Sequence, residues 1–339
     1  MVGSRSRAGM IGFLAGLILL LVLLRKVILN NWKRVLIILF AFLLIFTSMG
    51  VYSLNDLLGD IIAPKSETEL VEEELIYPPI TNVKSNDNEI ILETSEVHLN
   101  IVLENDSINF YDKNDYIINS YFDNKIERNV LIGDKFSDHS FKQINDNEFI
   151  WYYYNKEAHF KYNNDRFYMK GMRNEFYEIE EVSAFGFEGY ERLGSSRGYI
   201  WSRTFPMLSD TIITGHGPDT YAMYFPQEDV IGKLKFLRSS EIIVDKPHNL
   251  YLQIGINTGI ISLIALLVLW GAYFIDGINL YYKSNYNKWS EKVGVSVLAA
   301  VIAYLAAGMF NDSVVSVAPV FWILLGIGIS MNLKLKSKN

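Results

Sequence analysis

The sequence predicts an α-helical polytopic membrane protein, with about five transmembrane helices, carrying one mostly-β domain inserted on the outer side. Three observations predict it. First, apolar runs long enough to cross a bilayer, for which roughly 20 residues suffice, recur at both ends of the 339-residue chain. Second, charge is segregated: residues 54–250 hold 19 Lys and Arg against 35 Asp and Glu, a net of −16, whereas the remainder nets +9. Third, the basic residues of the helical part fall on one side of the predicted membrane. A mean hydropathy of +0.13 averages over these two unlike populations. Cysteine is absent, which removes disulfides, thiolate metal sites and thiol nucleophiles. The acidic insertion argues against nucleic acid as a partner.

The elements follow in order. Residues 1–53 read as a transmembrane hairpin. Met10–Leu24 is the first apolar run, and Arg34–Tyr52 is the second. No small-x-small cleavage site separates them, so the start is not read as a signal peptide. Residues 54–85 form an acidic linker that includes Tyr77, Pro78 and Pro79. Residues 86–182 are strand-like: Glu89–Thr94, Val97–Leu103 and Phe149–Tyr154 are β-branched and aromatic, with turn signals between them. A small antiparallel sandwich or meander is expected there. His98, His139 and His159 lack metal-ligand spacing and read as surface or core residues. Residues 183–250 form an outer loop, residues 251–331 three further transmembrane helices, and residues 332–339 a basic tail. The three runs are Leu250–Ile275, Val293–Phe310 and Val314–Met331.

Orientation follows from the positive-inside rule. With the N-terminus out and the C-terminus in, one side collects ten basic residues: Arg25, Lys26, Lys33, Arg34, Lys283, Lys288, Lys292, Lys334, Lys336 and Lys338. The other keeps only Arg5 and Arg7 among short flanks. Residues 54–250 are therefore expected outside the cytoplasmic membrane.

Candidate chemistry clusters late in the outer segment. Pro247-His248-Asn249-Leu250-Tyr251-Leu252-Gln253 stands where the chain re-enters the membrane. A histidine at a helix N-terminus is held toward its neutral, proton-accepting form, and free backbone N–H groups there suit a phosphate. The plainer reading is a helix cap and interfacial anchor. Arg197, Trp201, Phe205, Leu208 and Ile212 recur at helical spacing. They make either an interfacial amphipathic helix with a snorkelling Arg or a cation held at the membrane surface. Arg203 sits off that stripe and is expected to face water. Gly215 and Gly217 bracket His216 in a sharp turn that admits close backbone approach to a ligand or simply stops a helix. Asn311-Asp312-Ser313 reads as a tight polar turn near the same face as His248.

Together these features resemble the C-terminal portion of the O-antigen ligase and O-antigen polymerase superfamily of polytopic glycosyltransferases. The matching residues are Ser4 to Arg7 at the outer end of an apolar helix, then Arg197 and Trp201, then Gly215 and Gly217. His248, Asn249 and Gln253 follow, with Gly259 beyond. The resemblance covers residues 1–53 and about 190–331 but not the β-rich insertion. Members usually carry many more helices, so the chain is expected to be part of a longer or split protein. The missing N-terminal transmembrane portion would then be a partner.

The resemblance implies glycan transfer at the outer face of the cytoplasmic membrane, in surface polysaccharide biosynthesis. The donor is a saccharide on polyprenyl (undecaprenyl) diphosphate, and the acceptor a sugar hydroxyl on a glycan or lipid carrier. It assigns His248 as general base, with Arg7 and Arg197 stabilising the departing diphosphate and no metal or cofactor. Arg5, Trp201, Arg203, Gly215, Gly217, Asn249 and Gln253 are expected to contact substrate, with membrane lipid around them. The alternative is a non-enzymatic membrane anchor displaying a β-rich domain that binds cell-surface glycan or a partner protein.

Overall fold

A computed structural model describes residues 7–33, 37, 80–86, 88–104, 107–154, 156–180, 182–237 and 239–337. Arg5, nearly all of the second apolar run and most of the acidic linker lie outside these residues. The chain divides into two compact units. One is formed by Met1–Lys65, Leu208–Tyr221 and Lys246–Asn339, the other by Ser66–Met207 and Ala222–Asp245.

The second unit contains the strands. Eleven of them are described: β1 (Ile80–Asn86), β2 (Glu89–Thr94), β3 (His98–Glu104), β4 (Ser107–Asp112), β5 (Ser120–Asp123), β6 (Arg128–Leu131), β7 (His139–Asn145), β8 (Glu148–Tyr153), β9 (Lys156–Asn163), β10 (Arg166–Lys170) and β11 (Phe176–Glu178). They form two sheets, β1 to β4 and β5 to β11, and within each sheet strands that follow one another in sequence lie side by side. Among the described residues the strand pairings are antiparallel, so the expected meander is found. β1 begins inside the stretch read as linker. Ile80 and Val83 reach the core, a contribution that the acidic residues upstream obscured.

Period-two alternation explains the sheets. In Glu148-Phe-Ile-Trp-Tyr-Tyr153 the residues Phe149, Trp151 and Tyr153 are buried and their neighbours half-exposed. Register carries this across strands: Ile90 opposes Ile101, Ile101 opposes Phe110, and Phe149 opposes Phe160 with rings 5.2 Å apart. Asn164 and Asp165, both at positive φ, close the β9–β10 hairpin in the conformation that two-residue turns require. Among its described residues this unit also holds α3 (Leu193–Met207) and α4 (Val230–Phe236). Val230 and Leu234 of α4 are fully buried against the strand core.

The expected helical stripe is shorter than its spacing suggested. α3 ends at Met207 and a 3-10 turn, Leu208–Thr211, follows. Pro206 lies in the last turn of α3, where its missing N–H and its ring weaken helical continuation. Leu208 and Ile212 are therefore not on the stripe. Nor is α3 an interfacial helix with one wet face: Gly198, Tyr199, Ile200, Trp201, Ser202 and Thr204 are all buried.

The other unit is helical: α1 (Arg7–Leu23), α2 (Arg25–Asn30), α5 (Leu250–Thr258), α6 (Ile260–Lys283), α7 (Trp289–Ala307) and α8 (Ala318–Lys336). Among the described residues α6, α7 and α8 are long and apolar enough to cross a membrane, and Ala8–Leu23 is a shorter apolar helix. Their exposed faces carry Ile264, Val268, Ile275, Val320 and Ile323, as lipid contact demands. α1 packs against α7 through small residues. A Cβ on Gly12 would stand 2.3 Å from the Ala303 carbonyl oxygen, and one on Gly16 2.9 Å from that of Ala299. This four-residue spacing of glycines brings helix backbones together where apolar driving force is weak.

One expected span is interrupted. The apolar run from Leu250 does not continue as one helix, because Gly259 adopts φ +100° and divides α5 from α6. A side chain there would be strained and would press on the Ile213 carbonyl oxygen at 2.8 Å. His248 accordingly precedes a nine-residue helix, not a bilayer-length one.

Candidate active site

Among the described residues, His248 meets the carboxylate of Asp312. It sits in the turn before α5 with φ +50°, a conformation unusual for a side-chain-bearing residue and common at functional turns. Its Nδ1 lies 3.0 Å from Oδ2 of Asp312, whose side chain is only 7% exposed. The other carboxylate oxygen of Asp312 accepts the backbone N–H of Asn249 at 3.2 Å. A carboxylate only accepts, so Nδ1 is the donor in this hydrogen bond, which in a neutral ring leaves Nε2 as the accepting nitrogen. The imidazole side chain is 42% exposed, open enough for an incoming hydroxyl.

The rest of this corner is internally satisfied. Asn249 caps α5: its Oδ1 accepts the N–H groups of Tyr251 at 2.9 Å and Leu252 at 3.0 Å. Its Nδ2 donates to the Met309 carbonyl at 2.9 Å. Gln253 grips the backbone of Ser313, accepting its N–H at 2.8 Å and donating to its carbonyl at 3.4 Å. Leu250 N–H donates to Gly308 O at 2.7 Å, and Tyr251 OH to Leu305 O at 2.9 Å. The α5 start is thus clamped to the α7–α8 connection, and this clamp presents Asp312 to His248.

Two expectations change here. The first-turn N–H groups of α5 are not free for a phosphate: Asn249, Gly308 and Asp312 take them. The carboxamides of Asn249 and Gln253 bond backbone groups of α5 and of the α7–α8 connection. Gly215 and Gly217 have a structural task too. A Cβ on Gly215 would lie 2.1 Å from the Asn257 carbonyl carbon, and the N–H groups of His216 and Gly217 donate to the Ile256 and Asn257 carbonyls at 2.8 and 3.0 Å. This turn closes the C-terminal end of α5, where helix carbonyls otherwise lack partners.

Arg197, Trp201 and Arg203 belong to the strand-bearing unit. Arg197 is half-buried and donates from Nη1 to Gly194 O at 2.7 Å, where Gly194, Ser195 and Ser196 make a left-handed turn. Trp201 is buried edge-on to Phe187 with centroids 5.6 Å apart. Arg203 does not face water as expected. Its Nε donates to Oδ2 of Asp229 at 2.8 Å, its guanidinium lies over the Tyr199 ring, and its side chain is 14% exposed. Asp229 is buried, accepts Tyr199 OH at 3.0 Å as well, and caps α4 through Gly232 N–H at 2.8 Å. Next to it Lys233 is fully buried, and burial pushes its ammonium down to about 8, with Asp229 and Glu228 opposing. Spacing did not reveal this cluster, because Tyr199, Arg203 and Asp229 meet only through tertiary structure. Arg7 opens α1, and Arg5 lies outside the described residues.

No curated protein and no solved structure matches the chain. One family model does, over residues 150–267, and its description is O-antigen ligase. The matched segment runs from β8 into α6, so it takes in part of the β-rich region that the resemblance had left out. It also contains Arg197, Trp201, Arg203, Gly215, Gly217, His248, Asn249 and Gln253. This match makes residues 150–267, the segment that holds the candidate base, similar to the O-antigen ligase family.

Proposed function

We propose that this integral membrane protein transfers or polymerises a polyprenyl-diphosphate-linked glycan on the outer face of the cytoplasmic membrane, in surface polysaccharide biosynthesis. The observation that carries the proposal is the hydrogen bond between His248 Nδ1 and the nearly buried Asp312, within a chain matched to the O-antigen ligases. Asp312 orients the ring, fixes its tautomer and stabilises the imidazolium that forms, as a carboxylate does in other histidine-based transferases and hydrolases.

The step balances without an added reactant. The acceptor hydroxyl gives its proton to Nε2 of His248 while its oxygen bonds to the anomeric carbon of the donor sugar. The bond from that carbon to the diphosphate oxygen breaks, and the electron pair leaves with the polyprenyl diphosphate. A single displacement inverts the anomeric centre. Proton removal by a placed base is typically worth about 10²–10⁴-fold. Negative charge accumulates on the leaving diphosphate, and fixed guanidinium groups answer it. Arg7, which opens α1 in the same unit as His248, is the cation assigned to that task. Arg203 is assigned to holding Asp229 and α4, since its guanidinium already has a buried carboxylate.

The test is a His248→Ala substitution in the protein as the cell makes it, with membrane abundance measured alongside. Loss of surface polysaccharide, or a collapse in its chain length, at unchanged abundance is the expected result. Polysaccharide of unaltered amount and length would overturn the proposal.

A further inference from the structure

The strand-bearing unit carries a surface that neither its core nor the transfer chemistry uses. β5 is the outer strand of the larger sheet, and none of its four residues is buried. Tyr121 and Phe122, adjacent and therefore on opposite faces, are 52% and 56% exposed. Edge strands ordinarily carry charge or proline to stay in solution unpaired. Here two aromatic rings occupy the edge and forgo burial worth roughly 1.5–3 kcal/mol per side chain.

The two faces differ. Phe122 lies on the rim of a cavity of about 370 Å³, with Asn124, Glu127, Asn129, Lys142 and Gln143 completing the lining. Phe122 opposes Asn129, Asn129 opposes Phe141, and Gln143 lies two residues beyond Phe141, so Phe122, Asn129 and Gln143 share one face, on which Phe141 joins the core. Lys142, adjacent to Gln143, starts from the opposite face and joins the lining beside the β5–β6 turn. Glu127, at the end of the β5–β6 turn with φ +53°, reaches Lys142 at 3.7 Å. Both partners of that pair are largely solvated, so it locks neither group.

We infer that this cavity is a saccharide-binding site in which Phe122 stacks on a sugar ring while the carboxamides of Asn124, Asn129 and Gln143 hold its hydroxyls. Each carboxamide offers both a donor and an acceptor, and Glu127 and Lys142 add one strong acceptor and one strong donor. That mixture suits hydroxyl groups, which also do both. The open aromatic ring meets the C–H face of a pyranose, the apolar half of the same ligand. The volume is at the low end of the roughly 300–1,000 Å³ typical of small-ligand sites, which admits a short stretch of glycan. A protein strand adding to the β5 edge would use backbone groups and both aromatic rings, leaving the amide-lined cavity without a purpose. The choice of a saccharide over another polyol rests on the proposed glycan transfer; the binding test below does not need transfer to occur.

The probe is a set of short oligosaccharides cut from the surface polysaccharide of the producing cell, titrated calorimetrically into the full chain held in lipid nanodiscs. Phe122→Ala should weaken binding about tenfold or more, as expected when the central aromatic of a small contact is truncated. Tyr121→Ala, equally exposed on the other face, should leave it unchanged. Binding by Phe122→Ala equal to that of the parent overturns the inference. So does an equal loss in both variants, which would mark the edge as a protein contact, as would self-association removed by either. Phe122-dependent binding together with full transfer by His248→Ala would refute only the proposed reaction. Transfer lost in His248→Ala with Phe122-independent binding would refute only this site.

Discussion

Exchanging Asp312 for asparagine probes the candidate base through a single atom. The carboxylate spans two donors, with Oδ2 3.0 Å from His248 Nδ1 and Oδ1 3.2 Å from the Asn249 N–H. A carboxamide has one oxygen and one NH₂, so it serves only one of them. If the oxygen stays on His248, the NH₂ faces the Asn249 N–H, two donors in a nearly closed space, at about 1–3 kcal/mol. If it turns over, it donates to Nδ1, which must then lose its proton; Nε2 becomes the protonated nitrogen and ceases to accept. The penalty on the first arrangement drives the side chain into the second. The stabilisation of the imidazolium is lost in both. Transfer should therefore fall by about 10²-fold or more, within the 10²–10⁴-fold range of a general base. The assay is the initial rate of glycan transfer in membranes holding equal amounts of parent, Asp312→Asn and His248→Ala proteins. A rate for Asp312→Asn within about threefold of the parent, beside a large loss in His248→Ala, would refute the tautomer argument.

Three further predictions concern the framework. Asp229→Ala should destabilise the strand-bearing unit by about 3–5 kcal/mol in denaturant titrations, since it strands the Arg203 guanidinium without its carboxylate and removes a negative charge that offsets the burial of Lys233; an unchanged midpoint would contradict the Arg203–Asp229 pairing. Gly12→Val should cost about 1–3 kcal/mol and lower the thermal midpoint in detergent, because its Cβ would stand 2.3 Å from the Ala303 carbonyl oxygen; a midpoint equal to the parent's would show that α1 does not pack there. His139 supplies a pH dependence. It is 1% exposed, accepts Trp151 Nε1–H at 3.2 Å, and burial pushes its imidazole down to about 4 from 6.5. The unfolded chain binds the proton more readily, so stability is full above pH 6.5 and declines by about 3 kcal/mol as pH falls through 4. Trp151 fluorescence followed through urea unfolding at several pH values should show that decline, and a His139→Gln variant should flatten it.

The sequence displayed the strands well because their cores alternate with period two, as in Phe149, Trp151 and Tyr153. It displayed the spans through their length and composition. What it concealed depends on tertiary contact. The run from Leu250 looked continuous because Gly259 is apolar by composition, whereas its φ of +100° breaks the helix. Arg203 looked exposed because Asp229 lies 26 residues away along the chain. Asp312 read as part of a polar turn because its partner His248 is 64 residues distant. His248 lies within the matched segment; the resemblance was drawn from about residue 190, though the match begins at 150. The amides of Asn249 and Gln253 hydrogen-bond backbone groups around the start of α5, contacts that spacing cannot reveal.

Chemical rescue tests the central claim most directly. Membranes carrying His248→Ala should transfer glycan about 10²–10⁴-fold more slowly than the parent, and added imidazole should restore a measurable part of that rate with a pH dependence set by the free base. A variant that transfers at the parental rate with no imidazole present would contradict the assignment of His248 as the group that takes the acceptor proton.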